Sequence, residues 1–459
     1  MASTKKSKLL LLLLLVMMFM GCQNNTRTVQ ADYSRIVGLA NSLSFDQIVN
    51  ELSSYSWVAK KDPSRLMIYC DALIEMNKQI PPELRSPRVP SHVNEFAQGY
   101  FYLRTYQFKE AMDCFMNLAN SRDGKVWGYI GLLEYALRTE NIPNMKLPLD
   151  TLRTVENKNV ASVPEWVLPY YTASYYFFSG QFADVREVIT KEGSRLDPTH
   201  HAEFQVHLLL REDKFKEAEE IIKRMPQQYQ ITVALEAHLV RLRDGPAAWR
   251  EYLVEKRKKF PKFPIIEMYY ADSLMELGEI REGISILKKL ATSRKYDLDI
   301  QLDLAASLID YEKNEGVEHI FMRVLNNPGS FLSSYDVLVA KYYEKRGQDD
   351  KALKYLQTAR ELFPKNPDML WLLYKISIGQ KDYRKAAEAL AELTELEPNG
   401  IPILLARAEI DYISKNWKGL LEVIRIMENS GRYVDEETRN RVRYLREKAI
   451  AAKATNGKS

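Results

Sequence analysis

Six histidines and three cysteines are the side chains here best suited to metal or nucleophilic chemistry. The histidines are His92, His200, His201, His207, His238 and His319. In "DPTHHAEFQVH", His200 and His207 stand two turns apart on one helix face, a pattern that could build a pH-sensitive or weak metal site. A separation of seven residues is too long for both to ligate one ion from a straight helix, so polar groove or turn histidines are the favoured reading. No HExxH, GxSxG, P-loop, GxGxxG or EF-hand loop occurs, and no Asp/Glu pair stands out for acid–base work. Neither Cys70 nor Cys114 has a recognisable histidine partner. In an oxidising compartment these two could form a disulfide, but spacing does not say whether their Cα atoms approach closely enough. The alternative, two small buried hydrophobes, is favoured. The expectation is a chain with no metal, no cofactor and no enzymatic activity.

The third cysteine sits differently. In "KKSKLLLLLLLVMMFMGCQ", Lys5, Lys6 and Lys8 precede the apolar stretch Leu9–Met20. A membrane-spanning helix needs about 20 apolar residues, and this shorter run matches an export signal. It ends in Phe19-Met20-Gly21-Cys22, which resembles the lipobox of bacterial lipoproteins. That resemblance implies cleavage after Gly21, diacylation of the Cys22 thiol and acylation of the new amino terminus. Several acyl chains would anchor the protein stably. Gln23 in place of Asp implies the outer membrane, and Gln23–Gln30 reads as a polar tether.

The composition is that of a globular protein: 459 residues, 46% hydrophobic and 27% charged. With 65 basic against 61 acidic residues the net charge is +4, so bulk charge gives no nucleic-acid footprint.

The elements that carry these residues repeat. First-helix anchors fall at Ala271, Ala305, Ala340, Tyr374 and Ala408, and second-helix anchors at Gly283, Val317, Ala352, Ala386 and Leu420. Both columns keep a period of 34 or 35 residues. The copies, best in "VLVAKYYEKRGQDDKALKYLQTARELFPKNP", resemble tetratricopeptide repeats, whose unit is a helix–turn–helix. The resemblance implies an all-α, right-handed superhelical solenoid, each unit burying its apolar face on the next. The expected organisation is a signal peptide at 1–21, a tether at 22–30, and a helical segment with a Pro-rich linker at 31–90. About ten tetratricopeptide-like repeats follow at 91–432, then a capping helix at 433–453 and a disordered tail at 454–459. Residues 231–261 form the weakest copy, with Ala237, Leu253 and Pro261 only. Ser44-Phe45-Asp46-Gln47 reads as a capping box, and Asp62-Pro63-Ser64 as another helix start.

In this family the first helices line a concave groove. Carrying its positions over gives Phe96, Tyr100 and Arg104 in the first unit and Tyr170, Ser174, Phe177 and Phe178 in the third. His200, His207, Arg211, His238 and Arg241 follow in the fourth and fifth, and Met268, Asp272, Trp371, Lys375 and Tyr412 in later units. Aromatic and Arg side chains dominate binding hot spots, so Phe96, Tyr100, Arg104, Tyr170, Phe177, Phe178, His207, Arg211, Trp371 and Lys375 are the candidate partner-binding set. For each aromatic the alternative is burial between helices. The implied function is a lipid-tethered scaffold for a protein partner in an envelope complex, serving secretion, pilus assembly or exopolysaccharide export. A glycan-binding lipoprotein that stacks sugars on Tyr170 and Phe177 is the alternative.

Overall fold

The computed structural model describes residues 35–53, 62–81, 84, 89–158, 162–294, 297–311, 317, 320 and 332–456, apart from residues 37 and 77. Cys22, its flanking signal and tether, and His319 lie outside the described residues.

Among the described residues the regular structure is entirely helical. A pair without repeat signature, α1 (Phe45–Leu52) and α2 (Pro63–Glu75), comes first. Antiparallel pairs then follow in order. The first unit is α3 (Ser91–Arg104) with α4 (Phe108–Asn120), the second α5 (Lys125–Arg138) with α6 (Lys146–Asn157). The third is α7 (Val167–Phe178) with α8 (Phe182–Lys191), the fourth α9 (Pro198–Arg211) with α10 (Phe215–Arg224). Next come α11 (Gln230–Lys259), the sixth unit α12 (Pro264–Glu276) with α13 (Ile280–Ser293), and α14 (Leu298–Tyr311). The last three units are α15 (Ser333–Glu344) with α16 (Asp349–Leu362), α17 (Pro367–Gly379) with α18 (Tyr383–Leu396), and α19 (Ile401–Ile413) with α20 (Trp417–Asn429). Helix α21 (Glu436–Asn456) closes the stack. The chain is therefore an all-α solenoid of tetratricopeptide-like hairpins.

The fifth unit is hidden inside α11. Gly245 adopts φ +86° and ψ −178°, breaking the helix before Pro246. The two arms fold back on each other, so the Tyr252 hydroxyl donates to the Val233 carbonyl at 3.3 Å and to Glu236 at 2.7 Å. The copy looked weak in sequence because a Gly-Pro turn replaces the usual loop.

Small residues set how closely the helices approach. A Cβ on Gly283 would sit 2.6 Å from the Ala271 carbonyl oxygen, and one on Gly128 only 2.1 Å from the Ala119 nitrogen. Side-chain caps start several helices. Asp62 accepts from the Ser64 N–H at 3.0 Å, Asp197 from Thr199, and Asn366 from Asp368 and Met369, each satisfying N–H groups that a helix start leaves free. Ser44 differs from expectation: α1 begins after it, but its side chain makes no cap bond and instead meets the Ser42 hydroxyl. The closing helix also differs from the apolar stripe Val434, Val442, Leu445 and Ile450 that its sequence suggests. Val442, Leu445 and Ala449 are its buried stripe, while Ile450 is 54% exposed, and the helix runs to Asn456 rather than stopping at 453.

The solenoid winds until one turn touches the next. The third unit meets the eighth where the Phe178 and Phe363 rings pack edge-to-face, centroids 5.6 Å apart. The fourth meets the ninth through Arg211, whose Nε donates to the Leu396 carbonyl at 2.9 Å and Nη2 to that of Glu395 at 2.6 Å. The fifth meets the segment after the tenth, where the Tyr433 N–H donates to the Leu242 carbonyl at 2.9 Å. The Glu140 carboxylate, between α5 and α6, accepts from the Ser334 N–H and hydroxyl at the start of α15. Arg294 pairs with Glu75 at 2.7 Å, joining α13 to α2.

Candidate functional site

The groove positions divide into three groups. The first is sealed. Phe96, Tyr100 and Tyr170 are essentially inaccessible, so these three are core residues and not the partner contacts their register suggested. Phe96 is packed against Phe115 and Trp127; Tyr170 against Trp166, Tyr171 and His200. Arg104 is committed to an ion pair with Asp71 at 3.1 Å. Tyr100 donates to the same carboxylate at 3.1 Å and accepts from Arg138 at 3.3 Å. Arg138 lies 3.8 Å from Glu134, which accepts from the Tyr171 hydroxyl. This buried ladder ties α2, α3, α5 and α7 together. Burial pushes the Glu134 carboxyl up to about 7, against the opposing pull of Arg138 and Tyr171.

Further along, the Glu203 carboxylate on α9 is buried with neither oxygen hydrogen-bonded among the described residues. Burial, reinforced by the Asp197 charge, lifts it to about 8. His200 is buried beside Tyr170. Cys70 and Cys114 are free thiols, the first buried and the second half-buried. Among the described residues no cluster of three or more His, Cys, Asp or Glu could hold a metal ion, and no helix is long and apolar enough to cross a membrane.

The second group gathers at the seam between turns. Phe177, Phe178, His207 and Arg211 line one cavity together with Phe363, Leu396, Ile403 and Arg432 from the later turn. Phe178 is buried there against Phe363 and is closed to a partner. Arg211 stacks over the Phe182 ring at 4.1 Å. Arg432, its side chain only 3% exposed, pairs with both Asp213 and Glu397 and donates to the Leu210 carbonyl at 3.2 Å. Nothing in the period announces Arg432; its one sequence signal is a basic residue after a glycine, in the turn before the capping helix.

The third group stays open. Trp371 and Tyr374 on α17 sit 5.2 Å apart between ring centroids, half-buried, with Lys375 exposed beside them. On α19, Glu409 receives a bidentate hydrogen bond from Arg441 of α21 at 2.6 and 2.8 Å. Tyr412 lies 6.4 Å from Tyr444 and 6.0 Å from Trp417. Tyr444 is 41% exposed and carries Arg441 and Lys448 over its ring at 5.1 and 5.4 Å. Burial, with the nearby Glu409 charge, raises the Tyr374 hydroxyl's pKa, so the α17 pair neighbours the α19–α21 pair and together they make an aromatic strip edged with charge. The reading of 433–453 as a capping helix did not single out Arg441 and Tyr444; a tyrosine in the middle of a charged run was the available signal.

Residues 345–410 match the family model described as Tetratricopeptide repeat, which spans α16–α18 and most of α19. None of the curated proteins compared matches the chain. Among solved structures, one similar chain is in the "Crystal structure of APC/C hetero-tetramer Cut9-Hcn1". It is 12% identical over 89% of this chain and 88% of its own, with a TM-score of 0.41. The repeat family favours protein–protein interaction as the role of these hairpins.

Proposed function

We propose that this protein is a non-enzymatic scaffold, lipid-tethered through Cys22 to the bacterial outer membrane on its periplasmic face, that docks a protein partner of an envelope complex. Secretion, pilus assembly and exopolysaccharide export are the machine classes that use such scaffolds. The observation that carries the docking role is the open strip Trp371–Tyr374–Tyr412–Tyr444, edged by Lys375, Glu409, Arg441 and Lys448. Amphipathic aromatics flanked by charge are the chemistry of protein hot spots. The tether rests on the Lys5–Gln23 sequence alone. Sugar stacking on Tyr170 loses its support, because that ring is enclosed by its own neighbours.

Two experiments test this. Cross-linked envelopes should yield a specific protein with the native chain and lose it when Trp371→Ala and Tyr444→Ala are combined; recovery unchanged by both substitutions rejects the strip. Globomycin should cause a larger precursor to accumulate, and Cys22→Ser should release the protein from membranes; no precursor and no release reject the lipid anchor.

A further inference from the structure

A chain tethered at Cys22 turns one side toward the bilayer, and one edge of this solenoid carries the chemistry for it. The described chain starts against the fourth and fifth units. Leu43 is buried in one core with Val206, Phe215 and Trp249, and a Cβ on Gly38 would stand 3.6 Å from the Tyr229 hydroxyl. Tyr229 immediately precedes α11. The twelve residues between Cys22 and Arg35 span at most about 45 Å when fully extended, so an anchored Cys22 keeps this region within that distance of the headgroups.

The two arms of α11 run antiparallel. Tyr252 bonds to Val233 and Glu236, and Lys256 pairs with Glu236 at 3.0 Å, so the end of the second arm returns to the level of Tyr229. There the chain reads Lys256-Arg257-Lys258-Lys259-Phe260-Pro261-Lys262-Phe263. Lys256 and Arg257 are answered by Glu236 and Glu267. Lys258, Lys259 and Lys262 are exposed and make no ion pair among the described residues. Cations in the last turn of a helix complement its dipole. That accounts for Lys258 and Lys259 but not for Lys262, three residues past the helix end. Lys259 lies over the Phe260 ring at 5.3 Å. Phe260 is half-buried and stacks on buried Phe263, centroids 5.0 Å apart. The exposed acids on this arm, Glu251 and Glu255, stand a turn or more back, and the adjoining Pro226-Gln227-Gln228 carries none.

We propose that residues 258–262 form a membrane-contact site for anionic phospholipid headgroups, which turns the edge between α10 and α12 toward the bilayer. Each unpaired lysine adds attraction to an anionic surface, and a partly exposed aromatic ring settles at the boundary between headgroups and acyl chains. The choice of a lipid surface over another polyanion rests on the tether reading, because the loop stands at the same end of α11 as the start of the described chain. The partner strip on α17, α19 and α21 plays no part in it.

The test is vesicle co-sedimentation of the full chain carrying Cys22→Ser, so that no acyl group contributes. Vesicles are phosphatidylcholine alone or mixed with phosphatidylglycerol, at low ionic strength, where the attraction is least screened. Stronger binding to the mixed vesicles is expected. Lys258→Gln, Lys259→Gln and Lys262→Gln combined should lower it by about fivefold per lysine, on the order of a hundredfold in all, with phosphatidylcholine binding unchanged. The three changed to Arg instead should keep it. A photoreactive phosphatidylglycerol should label residues 256–263 of the native chain. The proposal is overturned if the combined Gln variant binds mixed vesicles as tightly as its parent, or if the lipid adducts fall only elsewhere. It is also overturned if the lysines govern binding of an oligonucleotide or an acidic peptide and give no preference for anionic vesicles. The lipid adducts of the native chain decide the matter even where a variant fails to fold. Failure of the tether is told apart, because it shows in the precursor and in membrane release, which the three lysines do not set.

Discussion

Phe178 and Phe363 pack edge-to-face with ring centroids 5.6 Å apart, although 185 residues separate them in the chain. Phe363 thereby joins a core that otherwise belongs to the N-terminal units. This pair is where one turn of the solenoid becomes the wall of the next. An edge-to-face pair contributes about 0.5–1.5 kcal/mol beyond the area it buries, and burying a Phe at a core contact is worth about 3–5 kcal/mol on truncation. Phe178→Ala and Phe363→Ala should each destabilise the protein by about 3–5 kcal/mol. A double-mutant cycle should show a coupling of at least about 0.5 kcal/mol. Strict additivity in urea melts would mean that the two rings do not meet in solution.

Arg432 is the polar counterpart of that contact. Burial opposes its charge, yet the Glu397 and Asp213 carboxylates beside it hold its pKa above the ordinary arginine value. Removing one member of a buried ion pair leaves the others uncompensated and costs about 3–5 kcal/mol. Arg432→Ala should fall in that range, and Arg432→Lys should recover only part of it, since a single ammonium cannot reach both carboxylates and the Leu210 carbonyl. Hydrogen exchange should then rise selectively around Leu210 and Leu396. Native protection there in Arg432→Ala would contradict the seam.

The sequence carried the hairpins but not their closure. Anchors such as Ala271, Ala340, Ala352, Ala386 and Ala408 are fully buried, as a helix-contact column must be, because only small side chains let the two helices approach. The pitch of the superhelix is a different matter. It accumulates from small rotations at each hairpin interface, and no single position encodes it. The register that places Phe177, Phe178, His207 and Arg211 toward the axis is the same for an open groove and a sealed one. Tyr100 and Arg104 show the same ambiguity: both face inward, but each is answered by Asp71 on the preceding pair, whose segment has no repeat signature to align.

Close packing makes glycine positions diagnostic. A methyl at Gly128 would meet the Ala119 backbone at 2.1 Å, which no side-chain rotation relieves. A Cβ at Gly379 would meet nothing within 4 Å. Gly128→Ala should therefore cost about 1–3 kcal/mol by forcing α4 and α5 apart, whereas Gly379→Ala should be neutral or stabilising by up to about 1 kcal/mol. Thermal melts of the two variants should move in opposite directions or differ clearly in size. Equal shifts would refute the packing described for the first and second units.

Glu203 gives the fold a pH dependence of defined sign. Its folded pKa, about 8, lies above the ordinary 4.5, so the folded state holds a proton that the unfolded state has released. This group stabilises the fold fully below about pH 4.5 and progressively less as pH rises toward 8, by at most about 1.4 kcal/mol per pH unit. Glu203→Gln removes the titration. Its melting temperature relative to the native chain should therefore be higher at pH 8 than at pH 5. A difference that is the same at both pH values would show that Glu203 does not titrate in this range.

In the proposed function the partner docks on the exposed C-terminal strip, while the N-terminal groove is closed, Tyr170 by its neighbouring helices and Phe178 by the later turn. Site-specific photo-cross-linking in intact cells separates these surfaces, with a photoreactive residue placed in turn at Lys375, Tyr412, Tyr444, Tyr170 and Phe178. A discrete protein adduct is expected from the first three positions and none from the last two. A partner adduct from Tyr170 or Phe178, with none from Lys375, Tyr412 or Tyr444, would contradict it.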